Sequence, residues 1–119
     1  MDTKTLITPD VEKGENFSRN KIELLSGPMD GLEFKITSKV VITIGREQKS
    51  DIYLPLDNLI SRQHARINLD HGEYWLEDLG SRNGTLVGEK RLEGKVRLPL
   101  GTIFKVGASE MRLTCFLEK

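Results

Sequence analysis

The chain predicts an all-β fold, a sandwich or barrel of short strands, and three observations carry that prediction. Apolar and polar residues alternate over short runs, as in Leu32-Glu33-Phe34-Lys35-Ile36, so that one face of each run is apolar. Gly, Pro, Asn and Asp interrupt these runs about every eight to twelve residues, the spacing of turns in such folds. No stretch sustains a helical period; the polar region from Leu59 to His64 has room for one helical turn at most.

The elements follow in order. Residues 1–20 are polar and lack a lasting period, which predicts a flexible tail ahead of a domain over 21–119. Lys21-Ile22-Glu23-Leu24-Leu25 reads as the first strand, and Gly27-Pro28-Met29-Asp30-Gly31 as a turn, because Gly admits positive φ and Pro fixes its own. The next strand places Leu32, Phe34 and Ile36 on one face. Val40-Val41-Ile42-Thr43-Ile44 is β-branched throughout, which favours a strand, and Gly45-Arg46 ends it. Asp51-Ile52-Tyr53-Leu54 is a short strand stopped by Pro55. Ala65, Ile67 and Leu69 alternate inward up to an Asp70-His71-Gly72 turn. Tyr74 and Leu76 then alternate with Trp75 and Glu77, leaving Trp75 to pack on an outer sheet face. Thr85-Leu86-Val87 and Lys90-Arg91-Leu92 form a hairpin around Gly88-Glu89. Val96-Arg97-Leu98 is a short strand. Phe104 and Val106 face the core while Ile103 and Lys105 face away, and Met111, Leu113, Cys115 and Leu117 make the last inward stripe.

The chain of 119 residues is long enough for one domain with its own core. Its formal net charge of zero argues against a nucleic-acid-binding module, which carries a basic excess or stripe. The single cysteine, Cys115, excludes a disulfide framework and a Cys-rich zinc site. The apolar runs are too short to span a membrane, and the start of the chain lacks the pattern of a signal peptide. A reducing, cytoplasmic setting is the expectation.

Function concentrates in three polar loops, each at a predicted strand end: Gly45-Arg46, Ser61-Arg62-Gln63-His64, and Gly80-Ser81-Arg82-Asn83-Gly84-Thr85. Loops at strand ends can share one rim of a stacked sheet, where all-β proteins place binding sites. Together they offer guanidinium, hydroxyl and amide groups, the chemistry of oxyanion capture, phosphate in particular.

These three pieces, in this order, resemble a forkhead-associated (FHA) domain. Ser50-Asp51-Ile52, Asp78-Leu79-Gly80, Gly101 and Phe104-Lys105-Val106-Gly107 are similar to the family as well, and the resemblance covers roughly residues 21–117. It implies an eleven-stranded β-sandwich of two twisted, mainly antiparallel sheets, FHA/SMAD-like, whose loops at one end bind phosphothreonine in a partner protein. By the same resemblance Arg46 and Ser61 contact the phosphate, and Arg62 follows that serine. Asn83 holds the ligand backbone, and Arg82 occupies a variable position that often contacts peptide. Gly45, His64, Ser81, Gly84 and Thr85 shape the loops. Val87-Gly88-Glu89 departs from the asparagine common beside that glycine, which affects the hairpin turn more than the site.

The residues suit this chemistry. A phosphothreonine carries close to two negative charges, which the planar, permanently charged fork of Arg46 can meet, at roughly 1.5–3 kcal/mol per charge-assisted bond. Ser61 can donate a hydroxyl hydrogen. Arg62 adds a second cation or, in the competing reading, makes a surface salt bridge worth about 0–1 kcal/mol. Asn83 can pair with both polarities of a peptide backbone, while Asn83-Gly84 alone reads as a turn. Ser61 and His64 in one loop invite a hydrolase reading, but no orienting group or oxyanion hole is apparent. A buried, hydrogen-bonded brace is the better reading of His64. Two histidines and one cysteine make no obvious metal site, no Walker-type loop appears, and no cofactor is implied.

Thr3, Thr5 and Thr8 stand near acidic residues. A serine/threonine kinase acting on them would create a ligand at high effective concentration for the chain's own domain, a plan similar to that of some small bacterial FHA proteins; a solvated linker is the plainer alternative. The leading expectation is a non-enzymatic phosphothreonine-binding module whose partners are kinase substrates. The alternative is a phosphate-independent FHA-fold scaffold of a larger assembly such as a secretion apparatus.

Overall fold

Eleven strands form two sheets. The computed structural model describes residues 19–36 and 39–116; the tail threonines and Leu117 lie outside them. The strands are β1 (Asn20–Ser26), β2 (Glu33–Ile36), β3 (Val41–Gly45), β4 (Ile52–Tyr53), β5 (Ala65–Asp70), β6 (Glu73–Asp78), β7 (Thr85–Val87), β8 (Lys90–Arg91), β9 (Lys95–Arg97), β10 (Ile103–Val106) and β11 (Ser109–Cys115). No helix occurs among the described residues.

One sheet has six strands in the order β2-β1-β11-β10-β7-β8, and the other five in the order β4-β3-β5-β6-β9. All pairings are antiparallel except β3 with β4, where Ile44 pairs with Ile52 and Gly45 with Tyr53. That parallel step needs a return connection, and Glu47 to Ser50 supply it, closed by Ser50 N–H donating to the Glu47 carbonyl at 2.9 Å. Asp51 secures it. Its carboxylate accepts from the Thr43 N–H at 2.9 Å and the Thr43 hydroxyl at 3.1 Å, and it pairs with Lys39.

Alternation places the core between the sheets. Ile22, Leu24, Ile42, Ile44, Ala65, Ile67, Tyr74, Leu76, Phe104, Val106, Met111 and Leu113 are all buried, and each fully buried aliphatic or aromatic side chain contributes about 1.5–3 kcal/mol. The outer faces carry cross-strand charge pairs, Arg66 with Glu77 and Arg112 with Glu23. Trp75 lies half-buried on its outer face, with the Lys95 ammonium 5.8 Å from its ring centre.

Two details of the sequence reading are corrected. Leu32 does not share the inward face of Phe34 and Ile36: it precedes β2, in the turn closed by Leu24 N–H to its carbonyl, and is 41% exposed. Cys115 is exposed rather than inward. It keeps the register of the stripe, opposite Asn20, but is the last residue of β11, where the strand stops shielding it. The fourth strand is also shorter than its apolar run, because Leu54 leaves the ladder to donate to the Gly45 carbonyl at 3.0 Å and becomes fully buried.

Candidate functional site

The three polar loops meet at one rim. β3 delivers Arg46, the β4–β5 connection delivers residues 54–64, and the β6–β7 connection delivers residues 79–84. Backbone bonds join the first two: Arg46 N–H donates to the Ser61 carbonyl at 3.2 Å and Glu47 N–H to the Arg62 carbonyl at 3.3 Å. The approach is so close that a Cβ at Gly45 would lie 2.0 Å from the Arg62 carbonyl oxygen, which only glycine avoids. The third loop is tied in by Arg82 N–H donating to Ser61 Oγ at 3.0 Å and by Asn83 Nδ2 donating to the Leu59 carbonyl at 2.8 Å. Arg46, Ser61, Arg62, Arg82 and Asn83 therefore form one cluster, although they come from three separate segments.

Beneath the cluster lies a layer of saturated polar groups. His64 is fully buried. Its Nδ1 accepts from the Ser61 N–H at 3.0 Å, and its Nε2 lies 2.9 Å from the Gly84 carbonyl. A backbone N–H can only donate, so the ring proton sits on Nε2 and is given to Gly84. His64 thus spans the second and third loops through two backbone groups, and its ring bonds to the Ser61 backbone rather than the Ser61 hydroxyl.

Asp78, at the end of β6, organises the third loop. Its carboxylate accepts from Gly80 N–H (3.0 Å), Ser81 N–H (2.9 Å), Ser81 Oγ (2.6 Å) and Thr85 Oγ1 (2.7 Å). Ser81 Oγ in turn accepts from Gly84 N–H at 2.8 Å. Burial by itself would raise the Asp78 pKa, but the bonds from Ser81 and Thr85, with the nearby His64, hold it below the ordinary 3.8. Gly84 closes the loop at φ +82°, a conformation that disfavours any side chain.

Asp57 is a second organiser, and sequence reasoning missed it. Only 1% exposed, it accepts from Leu59 N–H at 3.1 Å, from Ala108 N–H at 2.9 Å and from Ser109 Oγ at 2.6 Å. It pins the β4–β5 connection to the β10–β11 turn and so fixes the carbonyls of Leu59 and Ile60, which orient Asn83 and Arg46. Nothing in the local pattern marks it, since an aspartate between apolar residues in a loop reads as solvent-facing. Asp78 carried a signal, the turn-forming run Asp78-Leu79-Gly80, but not one for a four-bond hub.

The upper layer is different. Arg46 spends only Nε on the protein, donating to the Ile60 carbonyl at 2.9 Å. Among the described residues its two Nη groups have no partner, nor do the exposed guanidiniums of Arg62 and Arg82. Ser61 Oγ accepts one bond and keeps its proton for donation. The acid at this rim, Glu47, is occupied by Gln63 Nε2 at 3.0 Å. The result is a preorganised set of donors on a protein whose net charge is zero, able to take a multiply charged oxyanion and, through Asn83, a neighbouring peptide group. Among the described residues no group of three His, Cys, Asp or Glu side chains is arranged to hold a metal ion. Nor is any helix among them long and apolar enough to cross a membrane.

Comparison with known proteins agrees with this geometry. The family model described as the FHA domain matches residues 42–107. The chain is 33% identical over 87 residues to the FHA domain-containing protein FhaB of Mycobacterium tuberculosis, covering 73% of this chain and 55% of that protein. It spans about half the length of the curated relatives it matches. Among solved structures, the FHA domain of the CT664 protein from Chlamydia trachomatis superposes with a TM-score of 0.75 at 31% identity, over 84% of this chain and all of that one. A structure from a study of phosphothreonine-dependent FHA domain interactions superposes with a TM-score of 0.71 at 28% identity, over 83% of this chain and 98% of that one.

Proposed function

Because the chain belongs to the FHA domain family, we propose that it is a phosphothreonine-dependent protein–protein interaction module of serine/threonine kinase signalling, acting in the cytoplasm and without catalysis. The observation that carries this reading is the contrast within one cluster: Arg46, Ser61 and Asn83 are fixed by backbone bonds from three loops, yet they retain donors directed to no protein group. Arg46 supplies a guanidinium edge to the phosphate, and Ser61 its hydroxyl proton. Arg62 and Arg82 add positive potential on either side of Ser61. Asn83 fixes the main chain of the bound peptide. Gly45, His64, Ser81, Gly84 and Thr85 keep these groups in place without touching the ligand.

Residues 1–20 then serve as a regulatory tail to the domain over 21–119. Phosphorylation of Thr3, Thr5 or Thr8 supplies an intramolecular ligand that competes with partners. What supports this part is the placement of three threonines near acidic residues within one short segment. Kinase treatment followed by mass spectrometry should find phosphothreonine in the tail, and deleting the tail should then raise partner affinity; unchanged affinity removes this switch.

The test of the main reading is a degenerate phosphothreonine peptide library and its unphosphorylated twin, offered to the wild-type protein and to Arg46→Ala. The expected result is phosphate-dependent binding that the substitution abolishes. Equal binding of both libraries, or none, would replace this reading with a phosphate-independent scaffold domain.

A further inference from the structure

Arg91 lies outside the cluster described above, yet the fold lays its guanidinium against the third loop. An ideal Cβ built on Gly84 would be 2.7 Å from Arg91 Nε and 2.8 Å from its Cζ. The placement follows from the β7–β8 hairpin. Arg91 pairs with Leu86, and Leu92 N–H donates to the Thr85 carbonyl at 2.7 Å, which holds the rim end of β8 tight. Thr85 and Val87 face the core, so Leu86, Arg91 and Gly84 share the outer face. The same row continues across the sheet, because Leu86 pairs with Lys105 of β10.

Both cations are unspent. Among the described residues neither Arg91 nor Lys105 has a hydrogen bond or ion pair from its side chain. Glu89 and Glu93 in the same hairpin make no ion pair with Arg91, and Glu110, opposite Lys105, accepts from Ser26 Oγ instead. Two neighbouring cations left without a counterion beside an anion-capturing rim raise the local potential for negative ligands.

We infer that Arg91, seconded by Lys105, is a specificity-determining subsite that selects an acidic side chain flanking the phosphothreonine. The inference rests on the reading of the rim as a phosphothreonine site. Arg82 N–H is 3.0 Å from Ser61 Oγ, and two residues of chain from Arg82 to Gly84 reach at most about 7 Å. A peptide laid from Ser61 across Asn83, at roughly 3.3 Å per residue, brings a side chain over Gly84 about two to four residues from the phosphothreonine. There it meets Arg91 with Leu86 as an apolar floor. The ligand class is therefore an acidic phosphothreonine peptide, with an aspartate or glutamate in that window.

The experiment is a positional-scanning phosphothreonine library read against the wild type, Arg91→Ala and Arg91→Lys. The best acidic peptide and its alanine twin are then titrated at low and high salt. The wild type should enrich acid at one position in the window and bind the acidic peptide roughly three- to tenfold more tightly than the twin, with the advantage shrinking in high salt. In Arg91→Ala the advantage should fall below about twofold while affinity for the twin is unchanged, and Arg91→Lys should keep part of it. Phosphate-dependent binding without acidic enrichment, or with enrichment that survives Arg91→Ala, overturns the subsite and leaves the phosphothreonine reading standing. Absence of phosphate dependence in the wild type overturns both.

Discussion

The rim has two layers built from the same kinds of residue and treated in opposite ways. In the lower layer His64, Asp57, Asp78, Ser81 and Thr85 are largely withdrawn from water, and their polar atoms are matched; among the described residues no buried side-chain nitrogen or oxygen lacks a partner. In the upper layer Arg46, Arg62, Arg82 and Asn83 are exposed and keep donors or acceptors in hand. The lower layer follows the rule that a buried unmet polar group costs about 1–3 kcal/mol. The upper layer departs from it only where water can stand in until a ligand arrives. Stability and recognition therefore reside in different side chains a few ångströms apart, and substitutions should separate them.

The largest effect should come from His64→Ala. It removes a buried ring, strands the Ser61 N–H and the Gly84 carbonyl, and releases two loops from each other. A loss of about 4 kcal/mol in chemical denaturation is expected, with phosphopeptide binding lost alongside. Asp57→Ala should cost about 3 kcal/mol, since it orphans the Leu59 and Ala108 amides and the Ser109 hydroxyl. Asp57→Asn, which keeps one acceptor, should cost less. If Asp57→Ala were as stable as the wild type, the β10–β11 turn would not be what holds the second loop.

Arg46→Ala tests the upper layer. It should change stability by less than about 0.5 kcal/mol yet weaken phosphopeptide binding by roughly 30- to 100-fold, about 2–3 kcal/mol, as titration calorimetry would read. A matching loss of stability would erase the distinction between the layers.

Acid sharpens the comparison further. Asp78 and Asp51 have folded pKa values below the ordinary 3.8. A carboxylate lowered on folding contributes stability that is present above its unfolded value and is lost as pH falls through the folded one. Both contributions should thus persist down to about pH 4 and disappear below it. Asp78→Asn should flatten part of that decline; a stability difference between it and the wild type that stays constant below pH 4 would contradict the assignment. The smallest effect belongs to Arg97→Ala, which breaks an exposed pair with Glu73 and should cost under about 0.5 kcal/mol.

Much of this molecule was legible before folding. The inward stripes Phe104/Val106, Ala65/Ile67 and Tyr74/Leu76 follow from a two-residue period, and the Gly88-Glu89 hairpin from turn chemistry. The three polar segments announced a rim because each falls where an alternating run stops. Cys115 and Leu32 fit the alternation and are nevertheless exposed, because periodicity assigns a face but cannot say whether anything covers it.

Sequence pattern alone settled what depends on neighbours in the chain: strand periods, turn positions, the order of the loops and the cationic character of the site. Tertiary structure decided the partnerships. Asp57 finds Ser109 fifty-two positions away, and Asn83 finds the Leu59 carbonyl twenty-four positions back. Arg91 comes to rest on Gly84 through a hairpin register. Each is a hydrogen bond or contact between segments that meet only after the sheets have stacked. Their energy depends on distances of a few ångströms, which no local periodicity encodes.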